Sequence, residues 1–373
     1  MRIFAIETSA DETAAAIVED GTKILSNIVA SSMNLHEKTG GIIPEIAARE
    51  QIKYIIPVLE EAIERAIKLS SNLPTDRQGR VNNSNHSISQ SLNILISNHI
   101  DAIAVTIGPG LIGSLLVGVE TAKTIAFVTK KPIVPVNHVL AHIYANFLHF
   151  NNIYHHSEIQ FPAIALVVSG GHTELFLMKS QNQLKWLGGT RDDAAGEAFD
   201  KTARLLGLGF PGGPAIAAEA AKYQISNIKY QKVKLPRPMM REDNLDFSFS
   251  GLKAAVMREI NKLKSMNKWT NKTVMQFAFE IQEAITDVLV EKTLRAAKQY
   301  KVKSILLGGG VAANSRLHEK FSVLSSQFSV ALHVPPAQLC TDNAAYIASF
   351  AYFNYKPIHW SQIQAQPSLS VEV

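Results

Sequence analysis

The stretch "IFAIETSADETAAAIVED", residues 3–20, decides the fold, because two apolar runs flank a small polar turn at residues 8–11. This pattern predicts a β-hairpin. The stretch "AIALVVSGGHTELFLMKS", residues 163–180, repeats the plan, with its turn at Ser169 to His172. Two copies of one unit far apart in the chain predict two domains of the same plan that face each other across a cleft.

The composition is typical of a globular protein with more than one core. The chain has 373 residues, of which 46% are hydrophobic and 18% are charged, so two domains are expected. Cys340 is the only cysteine, which excludes an intrachain disulfide and favours a reducing compartment. The N-terminal stretch "MRIFAIETSADET" meets three acidic residues before any long apolar run, so we expect neither a signal peptide nor a transit peptide.

The most apolar window, residues 100–119, has about the length of a membrane span. Asp101, Gly108, Pro109 and Gly110 interrupt it, so it predicts a strand, a turn and a helix, and no membrane contact. The formal net charge of +5 permits a polyanionic partner. No long basic run and no stripe of aromatic and basic residues marks a nucleic-acid surface in the sequence.

Helical patterns follow both hairpins, and strands alternate with helices, which indicates α/β architecture. We expect an N-terminal domain at 1–136, completed by a C-terminal helix at 343–373, and a second domain at 137–342. Residues 71–95 are rich in Asn and Ser, the composition of a flexible surface insertion.

The stretch "NHVLAHIYANF", residues 137–147, places His138 and His142 four positions apart on one face of a predicted helix. The pair either binds a metal ion or consists of two histidines with no ion between them. Val139 stands where a zincin would carry its glutamate, so the HExxH motif is absent. Asp342, in "QLCTDNAAYIASFAYF", is either the N-cap of a helix or a third ligand in a His₂Asp site.

Two glycine turns follow predicted strands, in "VVSGGHTEL" and in "GGGVAANSR" at 308–316. Each is either an ordinary tight turn or a site where backbone N–H groups approach a phosphate. Neither matches a Walker P-loop, and "GPGLIG" at 108–113 lacks the acidic residue that a dinucleotide fingerprint needs about twenty positions later.

The stretch "DDAAGEAFDKTARLLG" places Asp193, Glu197 and Asp200 on one helical face. Such a stripe is either a solvated acidic face or a face turned toward a ligand. Few lysines separate these carboxylates and their neighbours are small, which suits a ligand-facing surface.

Ten blocks in order resemble the universal tRNA threonylcarbamoyladenosine synthesis family, TsaD type, formerly labelled O-sialoglycoprotein endopeptidase. The blocks are "ETSADET", "HEKTGGIIPEIAAR", "GPGLIGSLLVGVETAK", "NHVLAH", "VVSGGHTEL", "DDAAGEAFDK", "PGGPAI", "FSFSGLK", "GGGVAANSRL" and "CTDNAA". The resemblance covers nearly the whole chain apart from the insertion and the last fifteen or so residues. It implies two ribonuclease H-like domains of the actin, Hsp70 and sugar kinase superfamily around a central cleft.

The resemblance also implies the site residues. Metal ligands fall on His138, His142 and Asp342, which would hold one divalent metal, Fe(II) in preference to Zn(II). Ligand-contacting positions fall on Val167, Val168, Ser169, Gly170, Gly171, Asp200, Gly213 and Asn314. Ala10 stands where family members usually carry cysteine, so no thiol is required at that position, and Gln51 replaces a common histidine.

By the same resemblance, the enzyme moves a threonylcarbamoyl group from threonylcarbamoyl-AMP to the N6 amine of adenosine 37 in tRNAs that read ANN codons, and AMP leaves. We expect Asp11 to take or orient the amine proton. The implied partners are tRNA, a metal-free paralogue and a small ATPase, and the implied location is cytoplasmic. A metallopeptidase, or an ATPase or kinase of the same fold, remains the alternative.

Overall fold

The computed structural model describes residues 1–70, 96–149, 159–225 and 233–372. These residues form two compact units. The first unit contains the described residues of 1–35, 42–156 and 341–371, and the second contains those of 36–41, 157–340 and 372–373. The insertion predicted at 71–95 lies outside the described residues.

A five-stranded mixed sheet forms the centre of the first unit. Its strands are β1 (Arg2–Glu7), β2 (Glu12–Glu19), β3 (Lys23–Ser31), β4 (Ala102–Gly108) and β5 (Ile133–Asn137). They lie in the order β3-β2-β1-β4-β5, with β1 antiparallel to β2 and parallel to β4. Residues 3–6 of β1 and 14–18 of β2 are buried, which explains the two apolar runs of the first hairpin.

Helices accompany this sheet in the described part of residues 1–149, where residues 96–99 are helical in addition to four helices with complete bounds. These four are α1 (Met33–Glu37), α2 (Pro44–Ser70), α3 (Ile112–Thr129) and α4 (His138–Ala141), which a 3₁₀ helix at His142–Phe147 extends. By length and composition alone, α3 is apolar enough to cross a membrane. Its residues Leu115, Val119 and Ala122 are buried, and the helix packs against α2 and β4 within the unit.

The second unit repeats the sheet of the first. Its strands are β6 (Ala163–Val168), β7 (Thr173–Ser180), β8 (Gln183–Gly189), β9 (Ser304–Gly308) and β10 (Ala331–His333). They lie in the order β10-β9-β6-β7-β8, with β6 antiparallel to β7 and parallel to β9. The predicted duplication and the α/β class are therefore confirmed.

Six helices build the rest of the second unit within its described residues. They are α5 (Ala195–Leu206), α6 (Gly212–Ile225), α7 (Ser250–Ser265), α8 (Asn271–Tyr300), α9 (Ser315–Gln327) and α10 (Ala337–Cys340). The core of the unit lies between the sheet and these helices, with Phe199, Phe277 and Phe321 almost fully buried.

Helix α11 (Ala344–Phe353) returns the chain to the first unit, where it packs on β1 and β2. The C-terminal helix predicted at 343–373 is too long, because the helix ends at Phe353, with Asn354 as its C-cap, and Pro357 follows. The 3₁₀ helix at His142–Phe147 also packs on α11, so residues 137–149 belong to the first unit and not to the second domain expected at 137–342.

Candidate metal centre and substrate loops

Three side chains of the first unit could hold a metal ion. Each of His138, His142 and Asp342 offers one ligand atom, and these atoms all lie within 4.8 Å of one another. Oδ1 of Asp342 lies 3.4 Å from Nε2 of His142 and 3.7 Å from Nε2 of His138. The structure therefore brings together residues that are more than 190 positions apart in the sequence.

The spacing of these atoms fits a first-row metal ion. Bonds of about 2.0–2.1 Å in a tetrahedral site place neighbouring ligand atoms roughly 3.3 Å apart. The two histidine-to-aspartate distances are close to that value. The two imidazole rings lie edge to face, with centroids 4.7 Å apart. Small side-chain adjustments are enough for the three groups to share one ion.

Glu7 orients the first histidine of this group. Its Oε2 lies 3.0 Å from Nδ1 of His138, and Oγ of Ser9 lies 3.2 Å from the same nitrogen. The pairing directs Nε2 of His138 toward Asp342, as carboxylate–histidine–metal arrangements do. Burial lowers the pKa of His138, but the charges of Glu7 and Asp342 outweigh it and raise that pKa to about 9.

Further acidic groups surround Asp342. Burial is the main cause that raises the pKa of Asp342 to about 6, although the His138 charge lowers it. Burial and the charges of Asp342 and Asp11 also raise the pKa of Glu12 well above its ordinary value. A cation bound here would relieve the repulsion among these carboxylates, which supports a metal site on charge as well as on distance.

The local sequence explains how the histidines reach this position. Asn137 caps the short α4 by accepting hydrogen bonds from the N–H groups of Val139 and Leu140 at 3.0 and 3.3 Å. The predicted single helix at 137–147 changes to 3₁₀ geometry after Ala141, yet both rings still lie on one side.

Asp342 is not an N-cap. Oδ1 of Asn343 caps α11 by accepting from the N–H of Ala345 at 3.0 Å. The carboxylate of Asp342 instead accepts from the hydroxyl of Tyr346 at 3.4 Å and faces the histidines. The capping alternative is therefore wrong.

Asp11 lies in the turn between β1 and β2 and is 8% exposed. Its backbone carbonyl accepts hydrogen bonds from the backbone N–H and the hydroxyl of Ser32 at 3.2 and 2.9 Å, which fix the turn. Its charge contributes to the raised pKa of Asp342, so the two carboxylates are near one another.

The eight predicted substrate residues all lie in the second unit. Val167 and Val168 are fully buried on β6, so only their main chain could reach a ligand. The Ser169–His172 turn closes through a hydrogen bond from the N–H of Ser169 to the carbonyl of His172 at 2.9 Å. A Cβ at Gly170 or Gly171 would have no atom within 4 Å, so the space beside this turn is open.

The second glycine turn lies directly against the first. Gly309 has φ of +87°, and a Cβ there would lie 2.3 Å from the carbonyl oxygen of Val168. Only glycine fits this position. The amide of Asn314 is occupied at both ends, because Oδ1 accepts from the N–H of Leu317 and Nδ2 donates to Oε1 of Gln282.

The predicted acidic stripe divides into two parts. Lys201 binds Asp193 and Glu197 with Nζ–O distances of 2.7 and 2.8 Å, so those two carboxylates form surface ion pairs. Asp200 points elsewhere, and its Oδ1 accepts from the N–H of Gly212 at 2.7 Å. Burial raises its pKa above the ordinary value. Gly213, next to this bond, has open space beside it.

The glycines of "GPGLIG" serve close backbone packing. A Cβ at Gly110 would lie 2.5 Å from the carbonyl oxygen of Ser9, and the N–H of Leu111 donates to that oxygen at 2.8 Å. The turn thus holds the segment that contacts His138, which supports a structural role for these glycines.

Three residues of the centre were not predicted from the sequence. Glu7 and Glu12 were visible in "ETSADET" only as acidic residues, and Tyr346 as an aromatic residue of an apolar helix. Glu7 and Tyr346 are fully buried, and Glu12 is nearly so. A carboxylate on an otherwise apolar strand such as β1 is the one signal that could have marked Glu7.

Comparison with known proteins identifies the family. The family model of TsaD, tRNA N6-adenosine threonylcarbamoyltransferase, matches residues 23–72 and 82–349. The chain belongs to the TsaD family. The break in the match falls inside the insertion predicted at 71–95. The recognition from ten sequence blocks is therefore confirmed.

Curated TsaD relatives agree over almost the full length. The tRNA N6-adenosine threonylcarbamoyltransferase of Syntrophomonas wolfei is 44% identical over 369 residues, which cover 98% of this chain and 97% of the relative. That of Kosmotoga olearia is 44% identical over 373 residues, which cover 100% and 99%. Full-length HypF, in its phosphate- and nucleotide-bound form, aligns with a TM-score of 0.54 at 11% identity, over 96% of this chain and 47% of HypF. This likeness shows a shared fold alone.

Proposed function

We propose that this chain transfers the threonylcarbamoyl group of threonylcarbamoyl-AMP to the N6 amine of adenosine 37 in tRNAs that read ANN codons, with release of AMP. The observation that carries the proposal is family membership over nearly the whole chain, together with the three side chains that meet at the candidate metal centre. The chain is accordingly a transferase that modifies tRNA.

We assign His138, His142 and Asp342 as ligands of one divalent ion. Two histidines and one carboxylate leave open positions and suit Fe(II), the ion that we propose, while Zn(II) accepts the same ligands. An ion bound there would supply Lewis-acid stabilisation of negative charge that develops on the carbamoyl group. Glu7 keeps His138 in the tautomer that presents Nε2.

The chemistry of the transfer needs a proton acceptor. The amine nitrogen attacks the carbamoyl carbon, the bond from that carbon to the phosphate oxygen breaks, and AMP leaves with the electron pair. Asp11 takes the proton that the amine loses. Its turn is fixed by two hydrogen bonds to Ser32, so the carboxylate is held in place before the substrates bind.

The donor is held in the second unit. Gly170 and Gly171 offer their backbone N–H groups to the phosphate and carbamoyl oxygens, since no described atom lies within 4 Å of a Cβ at either position. Val167 and Val168 contribute through their main chain. Asp200 and Gly213 contact the donor beside this turn, and Asn314 shapes the second glycine turn through its two hydrogen bonds.

Helper proteins complete the proposed system, namely a metal-free paralogue and a small ATPase. Helices α2 and α3 pack against each other, and each also exposes apolar side chains. Ile52 and Ile56 on α2 are 65% and 55% exposed, and Ile112 on α3 is 51% exposed. Such an exposed apolar surface is a plain candidate for a protein partner. The proposal places the enzyme in the cytoplasm, where its tRNA substrate is available.

A transfer assay tests the proposal. The full chain, its helper proteins, threonylcarbamoyl-AMP and an unmodified tRNA transcript are combined, and the modified nucleoside and AMP are quantified by mass spectrometry. Equal amounts of the two products are expected. His142→Ala should abolish both, while His333→Ala, which removes another buried histidine in the second unit, should leave transfer intact. Release of ADP, or cleavage of a peptide with no tRNA product, would assign the chain to the kinase or metallopeptidase alternative.

A further inference from the structure

Positive charge is concentrated in one short segment of the second unit. Residues 253–272 contain six basic side chains and one acidic side chain, a net charge of +5. The whole chain also carries +5, so the remaining residues sum to zero. The basic residues are Lys253, Arg258, Lys262, Lys264, Lys268 and Lys272. They are two to five positions apart, which is why the sequence shows no continuous basic run.

The fold gathers four of these lysines where α7 ends and α8 begins. Helix α7 buries Leu252, Val256 and Ile260, and this directs Lys262 and Lys264 in its last turn toward solvent. The chain then reverses, with Asn267 at φ of +54°. We call Arg258, Lys262, Lys264, Lys268 and Lys272 the basic corner.

The reversal is held by backbone hydrogen bonds. The N–H of Lys268 donates to the carbonyl of Leu263 at 2.9 Å, which brings Lys268 back beside the last turn of α7. Nζ of Lys264 lies 5.7 Å from the centre of the Trp269 ring. Trp269 itself packs on Phe277, with ring centroids 5.7 Å apart, so the indole is partly buried against the core.

Four of the five cations of the basic corner form no ion pair with a described carboxylate. Over the described residues, Arg258, Lys262, Lys264 and Lys268 have no carboxylate within 4.0 Å. Other cations of the same unit behave differently, because Arg237 and Arg316 each bind two carboxylates. A group of exposed and unpaired cations creates a field that attracts a polyanion.

Helix α7 connects the basic corner to the proposed donor site. Its first turn is fixed by Asp192, which accepts from the N–H of Phe249 at 2.8 Å and from the hydroxyl of Ser250 at 2.6 Å. Asp192 lies three positions before the start of α5, the helix that carries Asp200. The 16 residues of α7 extend about 24 Å. A mononucleotide cannot reach both ends of that helix, whereas a polynucleotide can.

We infer that the basic corner binds the phosphate backbone of the tRNA substrate, an inference that rests on the proposed transferase function. Lysine and arginine contacts to phosphate position a nucleic acid without reading its sequence. The target base is then selected elsewhere, and the basic corner sets the orientation of the tRNA.

Salt dependence of binding tests the inference. The corner variant replaces Lys262, Lys264 and Lys268 with alanine, and the affinity of the full chain for an unmodified tRNA transcript is measured by fluorescence anisotropy between about 50 and 200 mM NaCl. Loss of three phosphate contacts should lower the slope of log K against log salt by roughly 2 to 3 and weaken binding roughly 10- to 100-fold near 0.1 M salt.

Two further variants separate charge from structure. The control variant replaces three other exposed lysines of the same unit with alanine, Lys179, Lys185 and Lys298, and should bind tRNA like the native chain. A variant with arginine at all three corner positions keeps the charges and should also bind normally. Equal loss in the control variant, or failure of the arginine variant to bind, would refute the specific role of the basic corner.

The transfer assay distinguishes this inference from the function on which it rests. In the presence of helper proteins, the corner variant should show a raised KM for tRNA and a native rate at saturating tRNA. Unchanged tRNA affinity with intact transfer would overturn the inference and leave the transferase function standing. Unchanged affinity with a lowered rate at saturating tRNA would assign the basic corner to a protein contact. No transfer by the native chain, with corner-dependent tRNA binding retained, would overturn the proposed function alone.

Discussion

Glu7→Gln should weaken metal binding without removing any ligand. The two carboxylate oxygens of Glu7 are fully committed, because Oε2 accepts from Thr106 at 2.6 Å and contacts Nδ1 of His138 at 3.0 Å, while Oε1 accepts from the N–H of Ser9 at 2.5 Å. Burial raises the pKa of Glu7, but His138 and the hydrogen bonds lower it overall, so the group is ionised. Glutamine keeps the size and removes the charge.

The expected loss follows from the position of Glu7 behind the ligand. His138, His142 and Asp342 all remain, so the site survives with an imidazole that is less basic and less firmly oriented. Removing such a supporting group typically costs about 10- to 100-fold in metal affinity. This corresponds to roughly 1.4 to 2.8 kcal/mol at 25 °C.

A chelator competition under anaerobic conditions measures this loss for Fe(II) and Zn(II). Glu174→Gln is the matched control, because Glu174 is also a buried carboxylate on a central strand but lies in the second unit. It should leave the affinity unchanged. Undiminished affinity in Glu7→Gln, or an equal decrease in the control, would refute the role of Glu7 in orienting His138.

Three other changes have defined outcomes. His138→Ala or His142→Ala should abolish stoichiometric metal binding, as measured by elemental analysis, with the fold retained, because one of three ligands is lost. Asp11→Asn should lower the single-turnover rate by about 10² to 10⁴ with little change in donor binding, and weakened binding at a native rate would make Asp11 a ligand contact. Glu174→Gln should stabilise the chain at pH 8 by about 2 to 3 kcal/mol and hardly at all at pH 4.5. Burial raises the pKa of Glu174 from 4.5 to about 7. The unfolded chain therefore loses this proton first, and the stability of the native chain falls as pH rises through that interval. Urea unfolding measures the stability difference between variant and native chain at both pH values, and an equal difference at the two would contradict this account.

The sequence predicted the parts of the fold that depend on local pattern. The two hairpins have apolar runs because β1, β2, β6 and β7 are buried, and the turn residues mark where each hairpin reverses. The spacing of His138 and His142 was sufficient to place both rings on one side. Periodicity and turn chemistry carry this information directly.

The sequence could not show contacts between distant segments. Glu7 and His138 are 131 positions apart, and they meet because the sheet places the end of β1 and the end of β5 on the two sides of β4. The acidic stripe is a similar case, because Lys201 forms ion pairs with Asp193 and Glu197 and so takes two of its three carboxylates. Lys201 is eight positions from Asp193 in the sequence and lies beside it only once the helix forms. The basic corner was missed because its charges converge only after the chain reverses at Asn267.

The discontinuity of the first unit has a consequence for biosynthesis. The second unit is nearly continuous in sequence, whereas the first needs α11 and Asp342 from near the end of the chain. Translation delivers residues in order, and domains generally fold as they emerge. The long continuous unit can therefore be complete on the ribosome while the sheet of the first unit still lacks its last helix. The three ligands come together only after Asp342 has been synthesised, so ion loading follows the synthesis of the second unit.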